Sequence, residues 1–174
     1  KGVDIVLAAA AQVDETTLAL VGGPTETAMA LREEWLEHGQ PAERFLLVDQ
    51  VPPEEIPLYL RAFDVCTMPL PWTEHFAYYA SPLKLFEYMA AGGAIVASDL
   101  PSWEDVLQHE VNALLVPPSD IEAMRAALQR LHDEPALREQ LGAAAQQCAF
   151  NHYTWEARAR AILEHIRHIG GLAS

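Results

Sequence analysis

The chain alternates two kinds of hydrophobic pattern. Short, almost wholly apolar runs predict buried strands, and stretches with apolar residues every three or four positions predict helices with one packed face. Val3–Ala11 has the helical period. Thr17–Gly22 predicts a short strand closed by Gly22-Gly23-Pro24, and Glu26–Glu37 predicts a helix with Ala28, Leu31 and Trp35 on one face and Gly39 as its cap. Arg44–Asp49 predicts a second strand, and Pro52-Pro53 opens a short helix reaching about Ala62. Asp64–Pro69 predicts a third strand, followed by a loop over Leu70–Ala80 rich in Pro, Trp, His and Tyr. A helix over Pro82–Ala91 stops at Gly92-Gly93, and a strand follows at Ala94–Ser98. A helix at Ser102–Leu107 then leads to a fifth strand at Ala113–Val116.

The tail drops the strands. Ser119–Asp133, Pro135–Phe150 and Thr154–Ile169 predict three successive helices. Ser119-x-x-Glu122 has the form of a capping box for the first, whose stripe is Ile121, Met124, Leu128 and Leu131. Trp155, Ala159, Ile162 and Ile166 make the stripe of the last. The rhythm is α/β: a parallel sheet covered by helices on both faces, in one domain over residues 1–174.

Composition narrows the functional classes. With 51% hydrophobic residues, the 174-residue chain can bury a full core. No apolar run approaches the roughly 20 residues that span a bilayer. A net charge of −14 leaves no basic patch to displace counterions, so nucleic acid is not an expected partner. Cys66 falls in an apolar run and Cys148 on a helix stripe, so buried free thiols and a reducing, cytoplasmic setting are expected.

Against that acidity, one interior lysine stands out. Lys84 sits in the first turn of the helix that Ser81-Pro82 opens, where a cation opposes the helix dipole at a cost of about 0.3–1 kcal/mol. Free amides at a helix start and a lysine suit a phosphate; Glu87, one turn on, suits hydroxyls. An ordinary surface pair between Lys84 and Glu87, worth roughly 0.2–0.5 kcal/mol, fits the spacing equally well. In an open parallel sheet, ligands bind beyond the carboxyl ends of the strands, which selects the loops Gly22–Thr25, Asp49–Val51 and Leu70–Pro82. The last is long enough for a lid and contains His75 among its aromatics. His165 and His168 are expected on the surface of the last helix. No G-x-G-x-x-G, Walker loop, G-x-S-x-G, H-E-x-x-H or C-x-x-C occurs, and the histidines form no metal-binding spacing.

The segment Ser81–Pro101, Ser-Pro-Leu-Lys-Leu-Phe-Glu-Tyr-Met-Ala-Ala-Gly-Gly-Ala-Ile-Val-Ala-Ser-Asp-Leu-Pro, resembles the signature of the family 4 (group 1) retaining glycosyltransferases. Lys1-Gly2-Val3-Asp4, Leu20-Val21-Gly22-Gly23, Asn112–Asp120 and Phe150–Ile162 resemble further segments of that family. The resemblance implies a GT-B fold, two Rossmann-like domains facing a cleft. This chain would be the C-terminal, donor-binding half, without its first strand and without the N-terminal domain that binds the acceptor. It further implies a nucleoside-diphosphate sugar as donor and no metal or other cofactor, with any peripheral membrane contact left to the other domain.

Residue by residue, Glu87 matches the second glutamate of the family's E-x7-E pattern, which hydrogen-bonds ribose hydroxyls. Lys1 matches a lysine on the donor diphosphate. The amides of Leu83 and Lys84, following Ser81 and Pro82, would meet the same diphosphate. Gly22 and Gly23 match a turn at the donor, and the backbone near Val51 would meet the base. Where the family commonly has its first glutamate, this chain has Tyr79, while Glu74-His75-Phe76-Ala77 resembles the family's E-x-F-G loop five residues early. Glu74 and Tyr79 are therefore both candidates to face the donor sugar. The expected function is sugar transfer by the full-length protein, the isolated chain binding nucleotide weakly and transferring nothing. A sugar-nucleotide epimerase on the same fold and a non-catalytic nucleotide-sugar-binding module are the alternatives.

Overall fold

The computed structural model describes residues 2–22, 25–80 and 83–170. Lys1, Gly23, Pro24, Ser81 and Pro82 lie outside the described residues. Five strands, β1 (Leu18–Val21), β2 (Phe45–Val48), β3 (Val65–Met68), β4 (Ala94–Ser98) and β5 (Leu114–Val116), alternate with helices. The helices are α1 (Val3–Ala10), α2 (Thr25–Glu37), α3 (Ile56–Ala62) and α4 (Leu83–Ala91), followed by α5 (Ile121–Asp133), α6 (Pro135–His152) and α7 (Trp155–Gly170). Every strand pairing is parallel, as the near-continuous apolar runs predict.

The strands do not form one ladder. β1 pairs with β2 from Leu18 opposite Phe45, and β4 lies between β3 and β5 in a second, three-stranded sheet. The two sheets nevertheless line one core, because Leu18 and Phe45 share a cluster with Val96, Leu114 and Val116, covered by Val6, Leu7 and Ala10 of α1 and by Met124 and Leu131 of α5. A second cluster lies on the other face, where Leu85 and Met89 of α4 meet Ile95, Ala97, Trp103, Leu107 and Ala145. β4 is central to its sheet, and all five of its residues are buried.

Three helical expectations are corrected. Ser102–Leu107 is not a helix; a 3-10 turn covers Pro101–Trp103 only. The Trp103 indole is drawn into the core, donating to the Ser98 carbonyl at 2.9 Å, and the Asn112 side chain takes over the local backbone, donating to Val106 O at 2.9 Å and accepting from Gln108 N at 2.8 Å. The cap of α5 is Asp120 rather than Ser119: its Oδ1 accepts from Ala123 N at 2.9 Å, while Ser119 has φ 63° and lies outside the helix. The loop over 70–80 contains a single π-helical turn, His75–Tyr79.

The helix stripes divide. Trp35, Ala28, Met124 and Leu131 are buried as expected, but Ile121 is exposed, and Trp155, Ala159, Ile162 and Ile166 of α7 all face solvent. Tyr153 is the last anchor before α7, its hydroxyl donating to Asp105 O at 3.0 Å and its ring 5.1 Å from Phe86. Of the thiols, Cys66 is buried and Cys148 only half-buried.

What fixes α4 is a close backbone approach. A Cβ built on Gly142, inside α6, would lie 2.1 Å from the Gly92 carbonyl oxygen, and Gln146, one turn on, donates to Ala90 O at 2.9 Å. Gly92 itself ends α4 at φ 83°. An alanine inside a helix ordinarily gains about 1 kcal/mol over glycine. Here Gly142→Ala is expected to destabilise the chain by about 1–3 kcal/mol, because the added methyl meets backbone that has nowhere to retreat. Urea unfolding midpoints of the two proteins measure the sign.

Candidate functional site

The carboxyl ends of the parallel strands gather the loops selected from the sequence. Gly22 follows β1 with φ 105°, its amide donating to Val48 O at 3.0 Å, so the turn leaves the sheet in a conformation that favours glycine. A Cβ there would touch nothing within 4 Å, which leaves open space above the turn. Val51 follows β2, half-buried, just after an Asp49 whose Oδ1 accepts from Gln50 N at 2.8 Å. At the end of β3, Gly2 lies against Pro69: its φ is 74°, and a Cβ would fall 1.8 Å from the Pro69 carbonyl oxygen. This contact brings the start of α1 to the same edge of the sheet.

The loop after β3 leads into α4. Leu83 and Lys84 form its first described turn, and both are exposed. Glu87 is exposed as well, and among the described residues no carboxylate stands within ion-pair distance of Lys84. The surface pair that spacing allowed is therefore not formed. Glu74 and Tyr79, the two candidates for the donor sugar, bracket the π-helical turn, and both are exposed.

Glu87 also lines a pocket of about 250 Å³ between α3 and α4, with Ile56, Leu60 and Arg61 on one wall and Ala90, Ala91 and Phe150 on the other. Gly22, Val51 and Lys84 are not among its lining residues. The pocket runs from Glu87 along α4 toward Ala91, away from the carboxyl edge, because α4 descends from the end of β3 to the start of β4. The structure thus sets Glu87 between two surfaces: the sheet edge, where Lys84 and Gly22 lie, and an apolar groove. Arg61 and Phe150 were missed from the sequence. Ile56 and Leu60 are four apart and show an apolar helix face, but nothing local says that this face leaves a gap against α4.

Behind Glu87 the environment is dry. Burial pushes the Cys66 thiol of β3 up to about 12. The Tyr88 hydroxyl is pushed up to about 12 as well, chiefly by burial, then by the charges of Cys66 and Glu87. Both groups keep their protons at neutral pH, so neither competes with Glu87 as an anion.

Comparison with known proteins places this arrangement. The family described as glycosyl transferases group 1 matches residues 1–134. The chain is 30% identical over 175 residues to the phosphatidyl-myo-inositol mannosyltransferase of Mycolicibacterium smegmatis, a match that takes in 98% of the chain and 42% of that protein. Among solved structures it is similar to the sucrose-phosphate synthase of Thermosynechococcus elongatus, with a TM-score of 0.78 and 29% identity over 99% of the chain and 43% of the synthase. It shares its fold with HepE of Anabaena, solved in complex with UDP-glucose, with a TM-score of 0.75 and 20% identity over 97% of the chain and 45% of HepE. The chain therefore spans less than half the length of these relatives. Among the described residues, no helix is long and apolar enough to cross a membrane.

Three raised acids, Cys66, Tyr88 and, by burial chiefly, Tyr153, set the alkaline limit of the fold. Free thiol and phenol titrate at an ordinary 9.0 and 10.0, so above pH 9 the unfolded chain sheds protons that the folded chain retains. Stability is expected to be level through neutral pH and to fall as pH rises from 9 toward 12. Cys66→Ala should move the onset from about pH 9 toward pH 10, as read from urea midpoints against pH.

Proposed function

The chain belongs to the group 1 glycosyl transferases, and on that footing we propose that it is the nucleotide-sugar-binding half of a retaining glycosyltransferase. The observation that carries the reading is the amino end of α4, where Lys84 and Glu87 stand exposed and unpaired with each other beside the carboxyl end of β3. Among the described residues no carboxylate pairs with the interior lysine of this acidic chain, which leaves a full positive charge for an anion. The donor class is supported by the fold shared with HepE, which was solved with UDP-glucose.

In this reading the amides of Leu83 and Lys84 and the Lys84 ammonium meet the donor diphosphate, together with Lys1, Ser81 and Pro82. Glu87 accepts hydrogen bonds from the ribose hydroxyls, the turn at Gly22 and Gly23 gives the donor room, and the backbone near Val51 meets the base. As the bond from the anomeric carbon to the diphosphate breaks, its electron pair leaves with the phosphate oxygen. The cations and amides then stabilise the growing charge, and this step calls on no metal ion. Glu74 or Tyr79 takes the place of the family's first glutamate and faces the donor sugar.

The reading also assigns the interval between β1 and β3 to a strand of the longer protein. Among the described residues β1 is paired only with β2, and β3 only with β4, yet both sheets share one core. A strand between them, ending where Gly2 meets Pro69, would make one sheet with the order of a doubly wound fold. The acceptor then meets the donor across the cleft from a further domain. The two free thiols fit a cytoplasmic setting.

Ligand-observed NMR of the chain with UDP, GDP and ADP tests the site. One of the three is expected to bind, and Glu87→Ala is expected to weaken it about tenfold or more, the worth of a hydrogen bond to a charged group. Equal signals from both proteins would remove Glu87 from the site. Sugar transfer by the chain with no added domain would overturn its assignment as one half of the enzyme.

A further inference from the structure

The groove between α3 and α4 is a surface that the donor reading leaves unused. Its volume is about 250 Å³. Sites for drug-sized ligands run to roughly 300–1,000 Å³, so this one suits a single ring with a short chain. Ile56 and Leu60, one turn apart, make the α3 wall. The α4 wall is Ala90 and Ala91, whose short side chains leave the gap. Phe150 of α6 closes the groove, yet its ring is 59% exposed. That ring surface is continuous with the apolar walls rather than isolated, which marks a contact site. Two charged residues stand on opposite walls, Arg61 in the last turn of α3 and Glu87 on α4. Among the described residues neither of them is in an ion pair. Glu87 is the nearer to the carboxyl edge of the sheet and Arg61 the farther, because α3 and α4 both descend from that edge.

We propose that this groove binds a small aromatic acid, its ring against Ile56, Leu60 and Phe150, its carboxylate on Arg61 and a hydroxyl donating to Glu87. Charge complementarity fixes the class and the orientation. A guanidinium only donates and a carboxylate only accepts, so the anion belongs at the Arg61 end and a hydrogen-bond donor at the Glu87 end. The reverse pose would set two carboxylates against each other. A purely apolar ligand would draw both charges out of water with no counterpart. Glu87 can serve this groove and a ribose alike, because its two oxygens accept about four hydrogen bonds between them. The site does not rest on the glycosyltransferase reading, since Gly22, Val51 and Lys84 do not line it.

NMR of the methyl-labelled chain tests the site, read at Ile56, Leu60 and Ala90. Ile162 and Ile166 of α7, more than half exposed on a different element, are the controls for non-specific apolar binding. The probes are phloretate, which has ring, acid and hydroxyl; hydrocinnamate, which has no hydroxyl; para-ethylphenol, which has no acid; and propionate, which has no ring. Phloretate is expected to move the groove signals saturably, to leave Ile162 and Ile166 in place and to bind tightest of the four. Arg61→Gln is expected to weaken phloretate about three- to fivefold, the upper worth of an exposed ion pair, and to leave para-ethylphenol unchanged. Phe150→Ala is expected to weaken both. Groove signals unmoved by phloretate, moved equally with Ile162 and Ile166, or moved as readily in Arg61→Gln would overturn the site. UDP is titrated into the same sample as a separate arm. Groove signals that follow UDP saturably while phloretate is displaced would make the groove part of the nucleotide site, and the proposal would fall. Phloretate binding that persists where UDP shows none would leave the groove standing and remove the donor reading instead.

Discussion

The contact between α6 and the end of α4 is the constraint on which the site depends. Gly142 has no side chain, so α6 can lie against the Gly92 carbonyl, and Gln146 reaches Ala90 O from the same helix face. The carboxyl end of α4 is thereby held against α6 by a close backbone approach, with the Gln146 side chain beside it. Leu85 and Met89, both buried, fix its rotation. With its carboxyl end and one face determined, the opposite face of α4 must present Lys84 and Glu87 to solvent. Small residues at one end of a helix thus settle the direction of charged residues at the other.

The same logic orders the loop before α4. Its rigidity comes from Ala77 and Phe76, which point inward, and from the backbone that accommodates them with a π-helical turn. The rings of Trp72, Tyr78 and Tyr79 point outward because the inward positions are taken. Trp103 occupies the neighbouring core, tied to the Ser98 carbonyl. The protein therefore uses aromatic residues in two distinct ways at one edge of the sheet. Trp103 is a structural member with its N–H satisfied inside, and Trp72 is an open surface.

Much of this was legible in the sequence because it is local. Apolar runs marked all five strands, the Gly92-Gly93 pair marked the end of α4, and an acidic chain with one interior lysine singled out Lys84. Other features were not, because they depend on partners distant in the chain. Ser102–Leu107 has an acceptable helical pattern, yet the buried Trp103 and the Asn112 side chain reorganise its backbone. The stripe of α7 has the period of a packed helix, and nothing in that period says that it faces solvent. Arg61 and Phe150 meet beside Glu87 only because α3 and α6 flank α4.

What the sequence by itself determined is the kind of fold and the place of its isolated lysine: parallel strands alternating with helices, and a helix start bearing Lys84 and Glu87. Periodicity, proline, glycine and isolated charge act over a few residues, so they are readable in order along the chain. Only the tertiary structure decided whether Lys84 and Glu87 would neutralise each other, on which side Glu87 would find a groove, and which aromatics would stay in solvent. Those outcomes are set by close packing between elements, where one glycine facing one carbonyl outweighs the preferences of the residues around it.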